Sequence, residues 1–185
     1  MLHRAVIVGL LLVSTAAAQA PAPADTLVIF TMPDQFDVEH TATDLRGTTA
    51  LVIWADRKGN DHRRRWVKTI ARKLRRELTE GTVILHQVAH VQGVPGFVKG
   101  RVLDSFREEA DGPVLMDWEG VFDAAYTPTA DHVNVLVFDA DGRLAHQAAA
   151  TGLDQGVLDG ILNAVRAAVA DGPPGMPSSP VRATD

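Results

Sequence analysis

LVIWADRKGNDHRRRW, Leu51 to Trp66, is the stretch that decides how this chain folds. With Ala50 before it, the run to Trp54 is continuously apolar, the pattern of a strand buried on both faces. A polar loop from Asp56 to Asn60 ends the run, and Asp61 is a suitable N-cap for the helix that follows. Trp66, Val67, Ile70, Ala71, Leu74 and Leu78 then recur at helical spacing. That spacing predicts an amphipathic helix, packed on a sheet, reaching about Glu80.

The elements on either side extend the pattern. Thr26 to Phe30 predicts a short strand, and Met32 to Thr43 a turn-rich segment that includes a hairpin. Gly81 ends the basic helix, and Thr82 to Val91 predicts the next strand. A turn at Gly93-Val94-Pro95-Gly96 leads into a second helix over Phe97 to Glu109. Pro113 to Trp118 predicts a short strand and Val121 to Tyr126 a helical turn. Asn134 to Asp139, the turn Ala140-Asp141-Gly142 and Arg143 to Ala148 predict a hairpin. Leu153 to Ala170 is the closing helix, with Leu158, Ile161, Leu162 and Val165 facing inward. Such an order predicts an α/β sandwich: a mixed β-sheet with helices on both faces.

Composition bounds the setting. Residues 1–18 read as a secretory signal peptide, with Arg4 before an apolar core and Ala16-Ala17-Ala18 as the cleavage site. The apolar run is about a dozen residues, short of the ~18–20 that a membrane span needs. No stable membrane anchor is expected after cleavage, and no cysteine follows the core to carry a lipid. The chain is therefore expected in a periplasm or secreted. Residues 19–25 (QAPAPAD) read as a linker, 26–170 as one domain, and 171–185 as a disordered tail. With no cysteine anywhere, an exported domain must be held by packing alone. The net charge of −5 argues against nucleic-acid binding, although ten of the 18 Lys and Arg residues lie between Arg57 and Arg76.

Several segments together carry a resemblance. DQFDVEHTATDLRG (34–47) followed by LVIW, PVLMDWEGVFDAAY (113–126) and NVLVFDADGRL (134–144) is similar to redoxins and TlpA-like members of the thioredoxin superfamily. Within it, the chain most resembles the YtfJ-type family of small exported proteins. The Ala55-x-Arg57 loop, GVPGFVKGRVLDSF (93–106) and the segment from Val135 to Val165 carry that closer match. The resemblance spans roughly residues 27–170 and implies a thioredoxin-like fold and an exported compartment. The redox enzymes of the superfamily place a Cys-x-x-Cys pair where this chain reads Lys58-Gly59-Asn60-Asp61, whereas the YtfJ-type family it most resembles is cysteine-free. A cis-proline is implied near Val133, five residues beyond Pro128. Both are missing, which excludes thiol–disulfide oxidoreductase and thiol peroxidase activity.

What remains at that edge is a cationic helix start. Arg63, Arg64 and Arg65 oppose the helix dipole, which favours acids there by ~0.3–1 kcal/mol per charge. Free backbone N–H groups at a helix N-terminus bind anions. Lys58, Asn60, Asp61, His62, Arg63 and His132 are thus a candidate surface for an anionic ligand or an unidentified protein partner, with a solvated basic face as the plainer reading. No cofactor is implied, since no Gly-rich phosphate loop is present. His62, His90, His132 and Asp61 are a second candidate set, for zinc or copper. Asp131-His132 loosely resembles the histidine of copper-delivering SCO-type proteins, whose two cysteines are absent here. Catalysis at the edge by a His62 or His132 base is the third reading, and no nucleophile, base and orienting group stand together in the sequence to favour it.

Overall fold

The computed structural model describes residues 24–109 and 111–172. The expected signal peptide and most of the linker and of the expected tail lie outside these residues; Asp171, the tail's first residue, belongs to α5. The main sheet has five strands in the order β5-β4-β3-β6-β7, beside a two-stranded ribbon, β1-β2. These are β1 Thr31–Pro33, β2 Glu39–Thr41, β3 Thr49–Ala55, β4 Val83–His90, β5 Val114–Asp117, β6 Val133–Phe138 and β7 Leu144–Ala150. Strands β3, β4 and β5 run parallel, while β6 is antiparallel to β3 and β7 to β6. The helices are α1 Asn60–Lys73, α2 Arg75–Thr79, α3 Lys99–Glu109, α4 Val121–Tyr126 and α5 Gln155–Asp171.

All seven residues of β3 are buried, as its unbroken apolar run predicts. Leu51 and Ile53 pack against Trp66, Val67 and Ile70 of α1 and Leu158, Ile161 and Val165 of α5. Ala50, Val52 and Trp54 point the other way, into a core with Met32, Phe122, Tyr126 and Phe138. A third cluster seats α3 on β4 and β5 through Ala89, Val114, Met116, Val102 and Phe106. The core is thus divided by the sheet, with α1, α3 and α5 on one face and the N-terminal ribbon and α4 on the other.

Two expected elements take a different form. Thr26 to Phe30 is no strand; its one ladder contact is a bridge between Thr26 and Arg143. Beyond that bridge the segment leaves the sheet, and Ile29 is 89 % exposed. Instead the Tyr126 hydroxyl donates to the Thr26 carbonyl at 2.9 Å and accepts from the Val28 N–H at 2.8 Å. The basic helix also bends: Leu74 leaves helical geometry at φ −105°, ψ 23°, and α2 continues beyond it. The Leu74 N–H still bonds Ile70 and the Leu74 carbonyl still accepts from Leu78. The bend therefore keeps the hydrogen-bond ladder while Leu74 stays buried in the core.

Side chains finish the open ends. Asp34 is buried, and its carboxylate accepts from Phe36 N–H (2.7 Å) and Val38 N–H (3.0 Å), closing the β1–β2 turn. Next to it, Gln35 covers edge strand β5: its amide oxygen accepts from Val114 N–H (2.7 Å) and its NH₂ donates to Gly112 (2.9 Å). Arg107 of α3 holds this turn by donating to the Gln35 carbonyl at 2.7 Å. Asp117 accepts from Val121 and Phe122 N–H groups and so starts α4. Asp154 does the same for α5 through Val157 N–H, leaving Leu153 outside the helix.

Burial pushes the Tyr126 hydroxyl up to about 12, against the opposing hydrogen bond from Val28. It stays neutral and able to donate at any ordinary pH. Tyr126→Phe strands the Val28 N–H and the Thr26 carbonyl. It is expected to lower unfolding free energy in urea by roughly 1–3 kcal/mol.

Candidate functional site

The loop after β3 is organised by one carboxylate. Asp56 Oδ1 accepts from Lys58 N–H (3.0 Å) and Gly59 N–H (2.8 Å), and Oδ2 accepts from Asp131 N–H (2.8 Å). One side chain therefore starts α1 and ties its N-terminus to the loop before β6. Burial works to raise the Asp56 carboxyl, but the donors Gly59, Asp131 and Lys58 hold it below the usual 3.8. The Asp56 carbonyl also accepts from Asn60 N–H at 3.0 Å.

This corrects the expectation of an open helix N-terminus capped by Asp61. The helix begins at Asn60 after Gly59, and Asp61 lies exposed in its first turn. The Lys58, Gly59 and Asn60 N–H groups are bonded to the chain's own Asp56, and His62 N–H bonds the Gly59 carbonyl. An external anion finds no vacant cradle of Lys58, Gly59 and Asn60 N–H groups there.

Gly59 permits the close approach of the two loops. A methyl group on it would fall 2.5 Å from the His132 carbonyl oxygen and 3.2 Å from Ala55 Cβ. The expected adjacency of His132 to the helix start is thus a backbone contact. All described peptide bonds are trans, and Asp131 turns the chain into β6 at φ 63°. Lys58, where the resemblance implies the first thiol, is exposed and bonded to Asp131 Oδ2 at 2.8 Å. Asp131 and Asp56 together raise the Lys58 ammonium above its usual value, the Asp131 hydrogen bond acting most strongly.

Arg63 is not part of the exposed edge. It is 2 % exposed, with Nε donating to Asn60 Oδ1 at 2.9 Å, Nη1 donating to Gln87 Oε1 and its guanidinium 5.5 Å from the Phe106 ring centroid. Burial pushes it down to about 10, with a smaller push from Arg64. The sequence carries the signal for this burial, because Arg63 precedes Trp66 and Val67 by three and four positions on the apolar stripe.

The histidines do not converge. His132 Nδ1 lies 2.7 Å from the Ala130 carbonyl, and His62 is half-buried on the first turn of α1. His90 Nδ1 is 3.6 Å from Asp123 Oδ1 on α4, beyond hydrogen-bond reach. Among the described residues no three His, Asp or Glu side chains gather as metal ligands, so the set His62, His90, His132 and Asp61 is not assembled. His86 instead faces His40, ring centroids 6.1 Å apart, and burial lowers its imidazole below 6.5, followed by the effect of His40.

A feature the sequence reading missed adjoins the edge. Between the start of α1, the end of β4 and α3 lies a cleft of about 290 Å³. Arg57 and Asn60 line it from the loop and helix start; Val94, Arg101, Val102 and Phe106 line it from the other side.

No family model matches the sequence, and no curated protein matches it. Solved structures do match in shape. A protein proposed to be the thiol:disulfide interchange protein DsbE from Chlorobium tepidum superposes with a TM-score of 0.61 at 13 % identity, over 80 % of this chain and 98 % of that one. A proposed protein disulfide isomerase from Bacteroides thetaiotaomicron gives 0.62 at 11 % identity, over 81 % and 91 %. The exposed lipoprotein thioredoxin Etrx1 of Streptococcus pneumoniae gives 0.56 at 12 % identity, over 74 % and 98 %. These likenesses establish the fold as a thioredoxin-like α/β sandwich; the chain carries that fold with no cysteine.

Two substitutions test the loop geometry. Gly59→Ala forces a methyl group against the His132 carbonyl and is expected to cost about 1–3 kcal/mol of stability by urea denaturation. Asp56→Ala is expected to cost roughly 1–3 kcal/mol at pH 7. Because the folded carboxyl sits below its unfolded value of 3.8, its contribution is present above that value. It fades as pH falls through the folded value, so the urea midpoints of wild type and Asp56→Ala should converge from about pH 5 downward.

Proposed function

We propose that this chain is an exported, non-redox thioredoxin-like domain that acts as a binding or accessory module through the edge formed by the Asp56–Asp61 loop and the loop before β6. The observation that carries this reading is the Lys58–Asp131 contact at 2.8 Å. A cation paired with a carboxylate at the surface stands where thiol chemistry would need a nucleophile, on a loop organised by Asp56. Such a rigid, chemically quiet surface suits recognition better than turnover. Export is supported by the Arg4 and apolar-core pattern at the start of the sequence. The fold's occurrence in a pneumococcal exposed lipoprotein is in keeping with it.

The charge at this edge suits an acidic partner. Arg57 and Arg65 are exposed, and among the described residues neither has a carboxylate within 4.0 Å. Lys58, Arg64 and Lys68, by contrast, pair with Asp131, Glu109 and Asp111. Arg57 and Arg65, with the half-buried His62 beside them, are the groups left to meet a partner's carboxylates.

Titrating ¹⁵N-labelled protein with a glutamate-rich peptide tests this. Saturating shifts are expected at Arg57, Lys58, Asn60, Asp61, His62 and His132, weakening as salt rises. Arg57→Gln with Arg65→Gln should reduce affinity several-fold. Shifts confined to another face, or none, would overturn the reading.

A further inference from the structure

The cleft beside the edge lies past the carboxyl ends of the adjacent parallel strands β3 and β4. It is a groove between two helices, α1 and α3, that pack on the same face of the sheet. Its composition is divided. Val94, Val102 and Phe106 give an apolar wall, whereas Arg57 and Arg101 are exposed cations. Neither arginine has a carboxylate within 4.0 Å among the described residues. The acidic group at the cleft, Asp56, already receives three backbone N–H donors.

An independent observation comes from behind the wall. Arg63 is almost wholly buried, yet its hydrogen-bond partners, Asn60 and Gln87, are both neutral, as is the Phe106 ring beneath its guanidinium. Among the described residues no carboxylate lies within 4.0 Å of it. Glu109, which pairs with Arg64, partly offsets the Arg63 charge from beyond ion-pair distance. A buried cation with no contacting counter-charge is still costly, and its field is weakly screened where water is excluded. Asn60 and Phe106, which it touches, are themselves cleft-lining residues. The positive potential of Arg63 therefore reaches the cleft through neutral side chains.

Three cations around a half-apolar cavity call for an anion with an apolar body. Phosphate fits less well: the Lys58, Gly59 and Asn60 N–H groups are already bonded to Asp56, and the apolar wall would go unused. About 290 Å³ is near the floor of the roughly 300–1,000 Å³ typical of small-molecule pockets, so the ligand is compact. We propose that the cleft between α1 and α3 binds a small carboxylic acid, its carboxylate toward Arg57 and Arg101 with Arg63 behind, its apolar body against Val94, Val102 and Phe106. The proposal rests on the binding-module reading and gives that module a ligand class.

The test uses ¹⁵N-labelled protein titrated with octanoate and phenylacetate, their neutral amides, inorganic phosphate, and a pentapeptide ending in leucine. Saturating shifts at Val94, Val102 and Phe106 are expected for the free acids, with Kd below about 1 mM. The amides should bind at least about tenfold more weakly. Arg101→Gln and Arg57→Gln, both surface changes whose folding is checked by circular dichroism, should each weaken acid binding about three- to tenfold and leave amide binding unchanged. The proposal is overturned by an absence of saturation, by equal binding of acid and amide, by phosphate matching the acids, or by acid affinity that ignores both substitutions. A peptide binding more tightly than the free acids overturns the commitment to a small ligand. Loss of acid binding with the glutamate-rich peptide still shifting Lys58 to His62 removes the cleft ligand alone; loss of both removes the binding edge as well.

Discussion

The Asp56 carboxylate is the constraint on which the site's architecture depends. A strand that ends on one side of the sheet and a helix that starts there leave several backbone N–H groups without partners. In this chain the Asp56 side chain takes the Lys58 and Gly59 N–H groups and its backbone carbonyl the Asn60 N–H, while its second oxygen reaches Asp131 across 75 positions of sequence. The β3–α1 loop and the loop before β6 are thereby fixed to each other. Gly59 lets them touch, and Lys58 closes the contact from outside. The edge is thus shaped by Asp56 and Gly59, with the solvent-exposed Lys58–Asp131 pair on its outside.

The same economy of polar groups recurs through the fold. Asp34, Asp117, Asp139 and Asp154 each accept backbone N–H donors at a turn or helix start. With no disulfide available, the geometry of the connections rests on these carboxylates while the sheet and its two cores hold the body together. Arg63 is the exception to that pattern, a buried charge satisfied only by neutral groups. Its position beside the α1–α3 cleft makes the cleft electrostatically distinct from the rest of the interior.

The central strand, the helix face and the closing hairpin were legible because their signals are local: continuous burial in β3, helical spacing of Trp66 and Ile70, and the Asp139–Gly142 turn. The N-terminal segment misled because TLVIF has strand-like residues but pairs with the sheet only at Thr26, beside Arg143. Asp56 was overlooked as the organiser because half its role depends on Asp131, a contact that no sequence window contains. The burial of Arg63 was readable from its place on the apolar stripe, but three consecutive arginines drew it into an exposed basic patch. The cleft depended on α3 docking beside α1, a tertiary event with no local signature.

Gln35 gives the fold a vulnerability of a different kind. Its amide covers the start of β5 at Gly112 and Val114, beside the antiparallel backbone bridge that Asp34 makes with Leu115. If the turn between Asp34 and Val38 lifted, Val114 N–H and Gly112 C=O would face solvent as a template for strand addition. Arg107 restrains that turn through the Gln35 carbonyl and, at 3.5 Å, through Asp37. Resistance to edge-to-edge self-association is thus set at a surface turn, where a small local fluctuation, well short of unfolding, would create a sticky species.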